Sequence, residues 1–135
     1  MTRQFFVDTW YFVAFIDRRD SHHATARSLR SHIDEAKLVT HEAALTEVLA
    51  FFSDEDSRLR LEAARIVRRS LLEMTVLPVD RQLFLRALDL YEQHSDKEYS
   101  LVDCMSMIVM RDNGITHVLT NDHHFTQAGF VVVNR

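Results

Sequence analysis

The sequence predicts an α/β fold in three layers, α/β/α, around a central, mainly parallel sheet of four to five strands. Short, almost wholly apolar runs alternate with longer segments in which apolar residues recur every three or four positions. The first pattern is typical of buried strands and the second of helices. Strands that are apolar on both faces belong to parallel sheets covered by helices on both sides.

One domain covering residues 1–135 is expected. A chain of 135 residues is long enough for one ordinary core. The sequence holds only 2 Gly and 1 Pro, so a long flexible linker is not expected.

Five segments have the composition of buried strands. The third is stopped by Pro78, because proline cannot donate a hydrogen bond to a strand ladder. The predicted strands are residues 4–7, 37–40, 74–79, 116–120 and 130–133.

Helices are predicted between these strands. Ser21 is expected to cap the second helix, which reaches about residue 35 and carries His22 and His23 on its surface. A later helix starts after Ser100 and ends at the pair 113–114, Asn-Gly, a typical helix stop. The other predicted helices are residues 9–16, 42–52, about 57–73 and about 80–92.

Composition excludes several classes of protein. No run of about 18 apolar residues is present, so we expect no membrane span. The single cysteine cannot form an internal disulfide, which favours a reducing, cytoplasmic location. A net charge of −4 argues against a uniformly basic nucleic-acid binder. Arginines within residues 58–69 form the main basic feature, either a solvated helix face or a surface for RNA or an acidic partner.

The helix after Ser100 is almost continuously apolar, and it carries one carboxylate, Asp103, in its first turn. A charge at the buried end of a core helix is costly unless it is paired or binds a metal. Asp103 could complete a capping box with Ser100, or it could serve a site. Its neighbour Cys104 is interpreted as a buried structural thiol.

Three further acids occupy suggestive positions. Asp8 and Asp122 each follow a predicted strand, and ligands bind beyond the carboxyl ends of strands in open α/β sheets. Glu47 emerges beside small and apolar residues of its helix. Singly, each has an ordinary explanation as a helix cap or an exposed acid. Together with Asp103, all could meet at one edge of the sheet.

These acids lie in motifs that resemble the four acidic motifs of the PIN-domain family, with the order and spacing of the small VapC-type toxins. The resemblance covers the chain from Phe5 to Val133. Some relatives carry a further acid near the fourth motif, where this chain has His123 and His124, which argues against tight binding of a second metal. The four motifs are Val7-Asp8-Thr9, Leu45-Thr46-Glu47-Val48-Leu49, Ser100-Leu101-Val102-Asp103 and Leu119-Thr120-Asn121-Asp122-His123-His124-Phe125.

The resemblance implies a metal-dependent endoribonuclease. Crowded carboxylates repel one another, and Mg²⁺ or Mn²⁺ would relieve that repulsion and activate a water for attack on an RNA phosphorus. It implies Asp8, Asp103 and Asp122 as metal ligands and Glu47 as a ligand or a group that orients water. Supporting positions around them are Thr9, Ser100 and Thr120.

The resemblance also implies partners: an RNA substrate, a small antitoxin whose segment covers the acidic groove, and a homodimer or higher assembly. Two alternatives remain at this point. One is a PIN-type nuclease for RNA processing or single-stranded DNA. The other is a non-catalytic interaction module that holds only a structural ion. The sequence does not name the RNA target.

Overall fold

The computed structural model describes residues 3–135, so the first two residues of the predicted domain lie outside the described range. Strands and helices alternate along the chain, as the apolar pattern predicts. The strands are β1 (Gln4–Val7), β2 (Lys37–His41), β3 (Thr75–Leu77), β4 (His117–Leu119) and β5 (Val131–Val133). The helices are α1 (Thr9–Ile16), α2 (His23–His32), α3 (Glu42–Phe51), α4 (Ser57–Glu73), α5 (Arg81–Gln93), α6 (Leu101–Asp112) and α7 (His123–Gln127).

The five strands form one sheet in the order β3-β2-β1-β4-β5. Every neighbouring pair is parallel, so the mainly parallel prediction is confirmed in a stricter form. Because β1 is central and pairs with both β2 and β4, its carboxyl end lies beside theirs. The residues that follow these strands are therefore brought to one edge.

Side chains of each strand alternate between two hydrophobic clusters on opposite faces of the sheet. In β1, Phe5 and Val7 join the cluster formed with α1, α2, α3 and α4. Phe6 points the other way, into the cluster formed with α5, α6 and α7. This division explains why the strands are apolar throughout, and it confirms the three-layer α/β/α prediction.

The start of α2 differs from the prediction. The helix begins at His23, and Ser21 does not cap it. Asp20 accepts the N–H of His22 at 2.8 Å, so that acid organises the turn instead. His22 and His23 are half-buried rather than surface residues, because both contact α1: the first packs edge-on against Trp10 and the second bonds a carbonyl at 2.8 Å.

The end of α6 agrees with the prediction. Gly114 has a φ of +65°, a conformation that glycine adopts without the strain a side chain would bring. The following N–H, of Ile115, donates to the carbonyl of Met110 at 2.8 Å and closes the helix. Predicted strand 74–79 ends at Leu77, directly before Pro78. No helix within residues 3–135 has the length and apolar character needed to cross a bilayer.

A buried histidine connects two helices that carry predicted site acids. His41 is fully buried at the end of β2, where its Nδ1 accepts the N–H of Ala44 at 3.1 Å and caps α3. The ring hydrogen is therefore on Nε2, which lies 2.8 Å from Ser106 Oγ in α6. Ser106 in turn donates to the carbonyl of Val102 at 2.9 Å. This chain of hydrogen bonds requires a neutral imidazole.

Burial lowers the pKa of His41 from 6.5 to about 4. The unfolded chain takes up a proton as the pH falls through 6.5, whereas the folded chain does not until about pH 4. The contribution of neutral His41 to stability is therefore complete above pH 6.5 and declines as the pH falls from 6.5 to 4.

We expect His41→Asn to remove this pH dependence, because asparagine can still cap α3 but does not titrate. Between pH 6.5 and pH 4, the wild-type free energy of unfolding should fall by about 3 kcal/mol more than that of the variant. Urea titrations at several pH values measure the difference. Parallel stability curves for the two proteins would contradict the assignment.

Candidate active site

A cleft of about 460 Å³ opens at the carboxyl ends of β1 and β4. All four acids predicted from the sequence line it, so the fold brings together residues that lie up to 114 positions apart in the chain (Asp8 to Asp122). Its lining residues are Asp8, Thr9, Trp10, Glu47, Glu98, Ser100, Asp103, Asn121, Asp122 and His124.

Asp8 is held at the floor of this cleft. It directly follows β1, whose last carbonyl, at Val7, accepts the buried hydroxyl of Thr40 at 2.8 Å. Thr120, directly after β4, donates its hydroxyl to Asp8 Oδ2 at 2.7 Å and accepts the N–H of Asp122 at 3.1 Å. One threonine hydroxyl thus connects the acids that follow two neighbouring strands.

The carboxyl of Asp8 is strongly perturbed. It is 6% exposed, and burial raises its pKa from 3.8 to about 7. The Thr120 hydrogen bond opposes that rise, while the nearby charges of Asp103 and Asp122 add to it. An ionised Asp8 is therefore unfavourable in this environment without a compensating positive charge.

Glu47 reaches the cleft from α3. Thr9, the first residue of α1, donates its hydroxyl to Glu47 Oε1 at 2.6 Å. Burial raises the pKa of Glu47; the Thr9 bond opposes this, and the charge of Asp103 adds to it. The carboxylate is half-buried and directed into the cleft rather than free in solvent.

Asp103 combines the two interpretations open from the sequence. Ser100 Oγ accepts the N–H of Asp103 at 3.0 Å, and Asp103 Oδ2 accepts the N–H of Ser100 at 3.0 Å, a complete capping box at the start of α6. The same carboxyl lines the cleft at 8% exposure. Burial raises its pKa, with the Ser100 bond lowering it and the charge of Asp122 raising it.

Asp122 lies between β4 and the short helix α7. Its Oδ1 accepts the N–H of His124 at 2.9 Å, which makes it the N-cap of α7. The backbone N–H of Asp122 donates to Thr120 Oγ1, so hydrogen bonds hold both the backbone and the side chain of this residue. It is the most exposed of the three aspartates at the cleft and faces its mouth.

The four carboxylates share one arrangement. Within residues 3–135, each is bound through a single oxygen by a hydroxyl or backbone N–H. An ionised carboxylate offers about four lone pairs on its two oxygens, so each acid keeps acceptor capacity toward the cleft. Oxygen donors of this kind suit Mg²⁺ or Mn²⁺. Burial raises the pKa of Asp8, Glu47 and Asp103, and the charges of neighbouring acids add to the rise, as expected for carboxyls held together without a cation.

One site residue was missed at the sequence level. His124 Nδ1 lies 3.1 Å from Asp103 Oδ2 and 3.1 Å from Asp122 Oδ1. Ligand atoms of Asp122, His123 and His124 lie within 4.8 Å of one another. The available signal was its position two residues after Asp122 in a helix N-terminus, which turns the side chain back toward the acids.

Cys104 takes no part in the cleft. It is fully buried in the core beside α5, and burial raises the pKa of its thiol to about 11. Its interpretation as a structural thiol rather than a nucleophile agrees with this position.

Comparison with known proteins points to one family of nucleases. The sequence model of the PIN domain matches residues 5–131. The 23S rRNA-specific endonuclease VapC20 of Mycobacterium tuberculosis, in strains CDC 1551/Oshkosh and H37Rv, is 31% identical over 128 residues, covering 95% of this chain and 96% of the relative.

Solved structures have the same fold. The crystal structure of Mycobacterium tuberculosis VapC20, a sarcin–ricin loop-cleaving toxin, superposes with a TM-score of 0.87 at 30% identity, covering 97% of this chain and 99% of that one. FitAcB from Neisseria gonorrhoeae has a TM-score of 0.70 at 14% identity, covering 96% of both chains. DNA-bound VapBC from Salmonella typhimurium has a TM-score of 0.64 at 17% identity, covering 98% of both.

We expect Asp8→Asn to stabilise the metal-free protein above pH 7. A carboxyl with a raised pKa contributes stability that is complete below pH 3.8 and lost as the pH rises through about 7. Asparagine can still accept the Thr120 hydroxyl and carries no charge. At pH 8 with EDTA, the free energy of unfolding should rise by about 2–4 kcal/mol, measured by urea titration.

Asp34→Asn is the matched control, because that side chain is 79% exposed and precedes the amino end of β2, whereas the cleft lies at the carboxyl ends of the strands. It should change the stability little. Added Mg²⁺ should stabilise the wild type and not Asp8→Asn. If Asp8→Asn is no more stable than the wild type at pH 8, the ionised carboxylate of Asp8 does not destabilise the folded protein.

Proposed function

This chain belongs to the PIN-domain family, and on that premise we propose that it is a metal-dependent endoribonuclease that acts as the toxin of a toxin–antitoxin pair. The observation that carries the proposal is the convergence of Asp8, Glu47, Asp103 and Asp122 in one cleft. The 31% identical relative is named as an endonuclease of 23S rRNA, and it matches this chain over nearly its whole length.

In this proposal Asp8, Asp103 and Asp122 hold a divalent cation, Mg²⁺ or Mn²⁺. Such an ion supplies positive charge that stabilises the phosphate in the transition state and makes water a better nucleophile. Thr120 orients Asp8, and the Ser100 capping box orients Asp103, so both carboxylates are in place before substrate arrives. The raised pKa of Asp8 means that cation binding also displaces a proton near neutral pH.

Glu47 is assigned one of two roles: it orients the attacking water, or it binds the ion. Thr9 fixes one of its oxygens and leaves the other toward the cleft. Its raised pKa brings the carboxyl closer to the operating pH, which suits a group that accepts a proton during hydrolysis. Cleavage then breaks a phosphodiester bond by addition of water, and the proton from that water goes to the carboxylate.

The substrate follows from the relative. Because VapC20 is described as a sarcin–ricin loop-cleaving toxin, the corresponding loop of 23S rRNA is the first RNA to test. Of the five arginines of α4, Arg65 pairs with Glu62 and Arg69 pairs with Glu73. The other three, at positions 58, 60 and 68, are exposed and form no salt bridge within residues 3–135, so the helix keeps free positive charge on its surface.

The proposal includes protein partners. A toxin that cuts ribosomal RNA in the cytoplasm requires an inhibitor, and a small antitoxin with a segment over the acidic cleft fits that need. Self-association is also proposed, because α5 leaves four apolar side chains exposed: Phe84, Leu85, Leu88 and Tyr91. A solution mass equal to that of one chain would contradict the proposed self-association.

We expect the purified chain, free of partner, to cleave an RNA hairpin that carries the sarcin–ricin loop when Mg²⁺ or Mn²⁺ is present. EDTA should abolish cleavage, and Asp103→Asn should reduce it by a factor of about 100 or more because a cation ligand is lost. Gel analysis of end-labelled RNA gives the rate. A single-stranded DNA of the same sequence, run in parallel, tests the DNA-nuclease alternative.

The variant must be folded for this comparison, so its circular dichroism is recorded beside the wild type. Asp112→Asn is a suitable control: that acid lies at the end of the same helix and pairs with Arg86 at 2.6 Å, away from the cleft. It should retain full activity. Metal-independent cleavage, or a folded and fully active Asp103→Asn, would refute the proposed mechanism.

A further inference from the structure

His124 is placed like a ligand rather than like a surface histidine. Its side chain is 14% exposed, whereas that of its neighbour His123 is 73% exposed. The Nδ1 atom of His124 points at the cleft and touches one oxygen of Asp103 and one of Asp122, each at 3.1 Å.

These separations fit a shared cation. Neighbouring ligands around an octahedral ion with bonds of about 2.1 Å lie about 3.0 Å apart. Both contacts of Nδ1 have that spacing. Each contacted oxygen accepts one backbone N–H, from Ser100 or from His124 itself, and retains a lone pair.

The imidazole is also held in place without a cation. The buried ring of Tyr99 packs edge-on against it, with centroids 5.6 Å apart. The backbone N–H of His124 is bound to Asp122, so backbone and side chain of the same residue face the acids. A ligand whose rotamer is fixed in advance loses little entropy on binding.

We propose that His124 supplies a nitrogen ligand to the cation site and thereby shifts its preference from Mg²⁺ toward Mn²⁺. Mg²⁺ favours an all-oxygen shell and gives up its waters reluctantly, whereas imidazole is a better ligand for first-row transition ions. In the metal-free protein Nδ1 carries the ring hydrogen and donates it to Asp103 Oδ2, while Asp122 Oδ1 lies 3.1 Å from the same nitrogen. On cation binding that hydrogen is carried by Nε2, and the Nδ1 lone pair faces the ion.

This inference rests on the cation site of the proposed function, but it concerns which ion binds and through which atoms. It is therefore tested by binding and spectroscopy, with no RNA present. RNA cleavage remains a separate measurement, so either conclusion can fail alone.

The experiment is electron spin echo envelope modulation of the full chain loaded with Mn²⁺. Wild type should show coupling to a directly bound nitrogen. Protein with ¹⁵N-labelled histidine should shift that signal, which assigns it to an imidazole. The coupling should vanish in His124→Asn, which keeps an N–H and an oxygen but cannot offer an aromatic nitrogen.

Affinities for both ions provide the second measurement. The dissociation constant for Mn²⁺, measured from the signal of free Mn²⁺, should rise about tenfold or more in His124→Asn. That for Mg²⁺, measured by competition, should change by less than about threefold, since magnesium makes little use of nitrogen. Equal losses for both ions would show that His124 acts only as a hydrogen-bond donor that positions the aspartates.

His123→Asn is the matched control, being the same residue type one position earlier and largely exposed. It should retain the nitrogen coupling and the wild-type preference for Mn²⁺. Loss of coupling in this variant instead, or wild-type spectra without any nitrogen coupling, would overturn the proposal. If His124→Asn fails to fold, the wild-type and His123→Asn spectra together decide the question.

Discussion

The burial and mutual repulsion of carboxylates gathered at one end of a parallel sheet form the constraint on which the site depends. Burial and mutual charge raise the pKa of Asp8 to about 7 and also raise those of Glu47 and Asp103. A fold that places acids there gives up stability unless a cation is bound. The arrangement is therefore poor as a structural device and well suited to holding a divalent ion, which accounts for its position at an open cleft instead of within the core.

The surrounding hydrogen bonds direct these acids without neutralising them. Thr120 and Thr9 donate hydroxyl groups, the starts of α6 and α7 donate backbone N–H groups, and His124 Nδ1 is hydrogen-bonded to Asp103 Oδ2. No arginine or lysine within residues 3–135 forms a salt bridge with the four acids. A fixed cation there would compete with a metal. Hydroxyl and backbone N–H donors orient the carboxylates and leave their charge available to the cation proposed above.

The layers of the fold and the four acids could be predicted from the sequence for identifiable reasons. Apolar strands and the Ser100–Asp103 spacing are local patterns that a chain displays directly. The order of the strands is not local, and it determines that Asp8 and Asp122 meet. Pairings such as Thr9 with Glu47 span 38 positions and have no periodic signature. The roles assigned to these residues stay predictions.

His124 and the start of α2 were missed for related reasons. An adjacent pair of histidines carries no metal-ligand spacing of its own. The position of His124 two residues after the helix N-cap Asp122 is a weak local signal, and the tertiary position of α7 is needed to show that this histidine faces the acids. At α2 the helix starts at His23 without a side-chain cap, and Asp20 rather than Ser21 binds the backbone of the preceding turn, whose His22 packs against Trp10 of α1. The indole in that contact, Trp10, also lines the cleft and is the only tryptophan in the chain. Its intrinsic fluorescence is thus an optical reporter located at the cleft, free of background from any other indole.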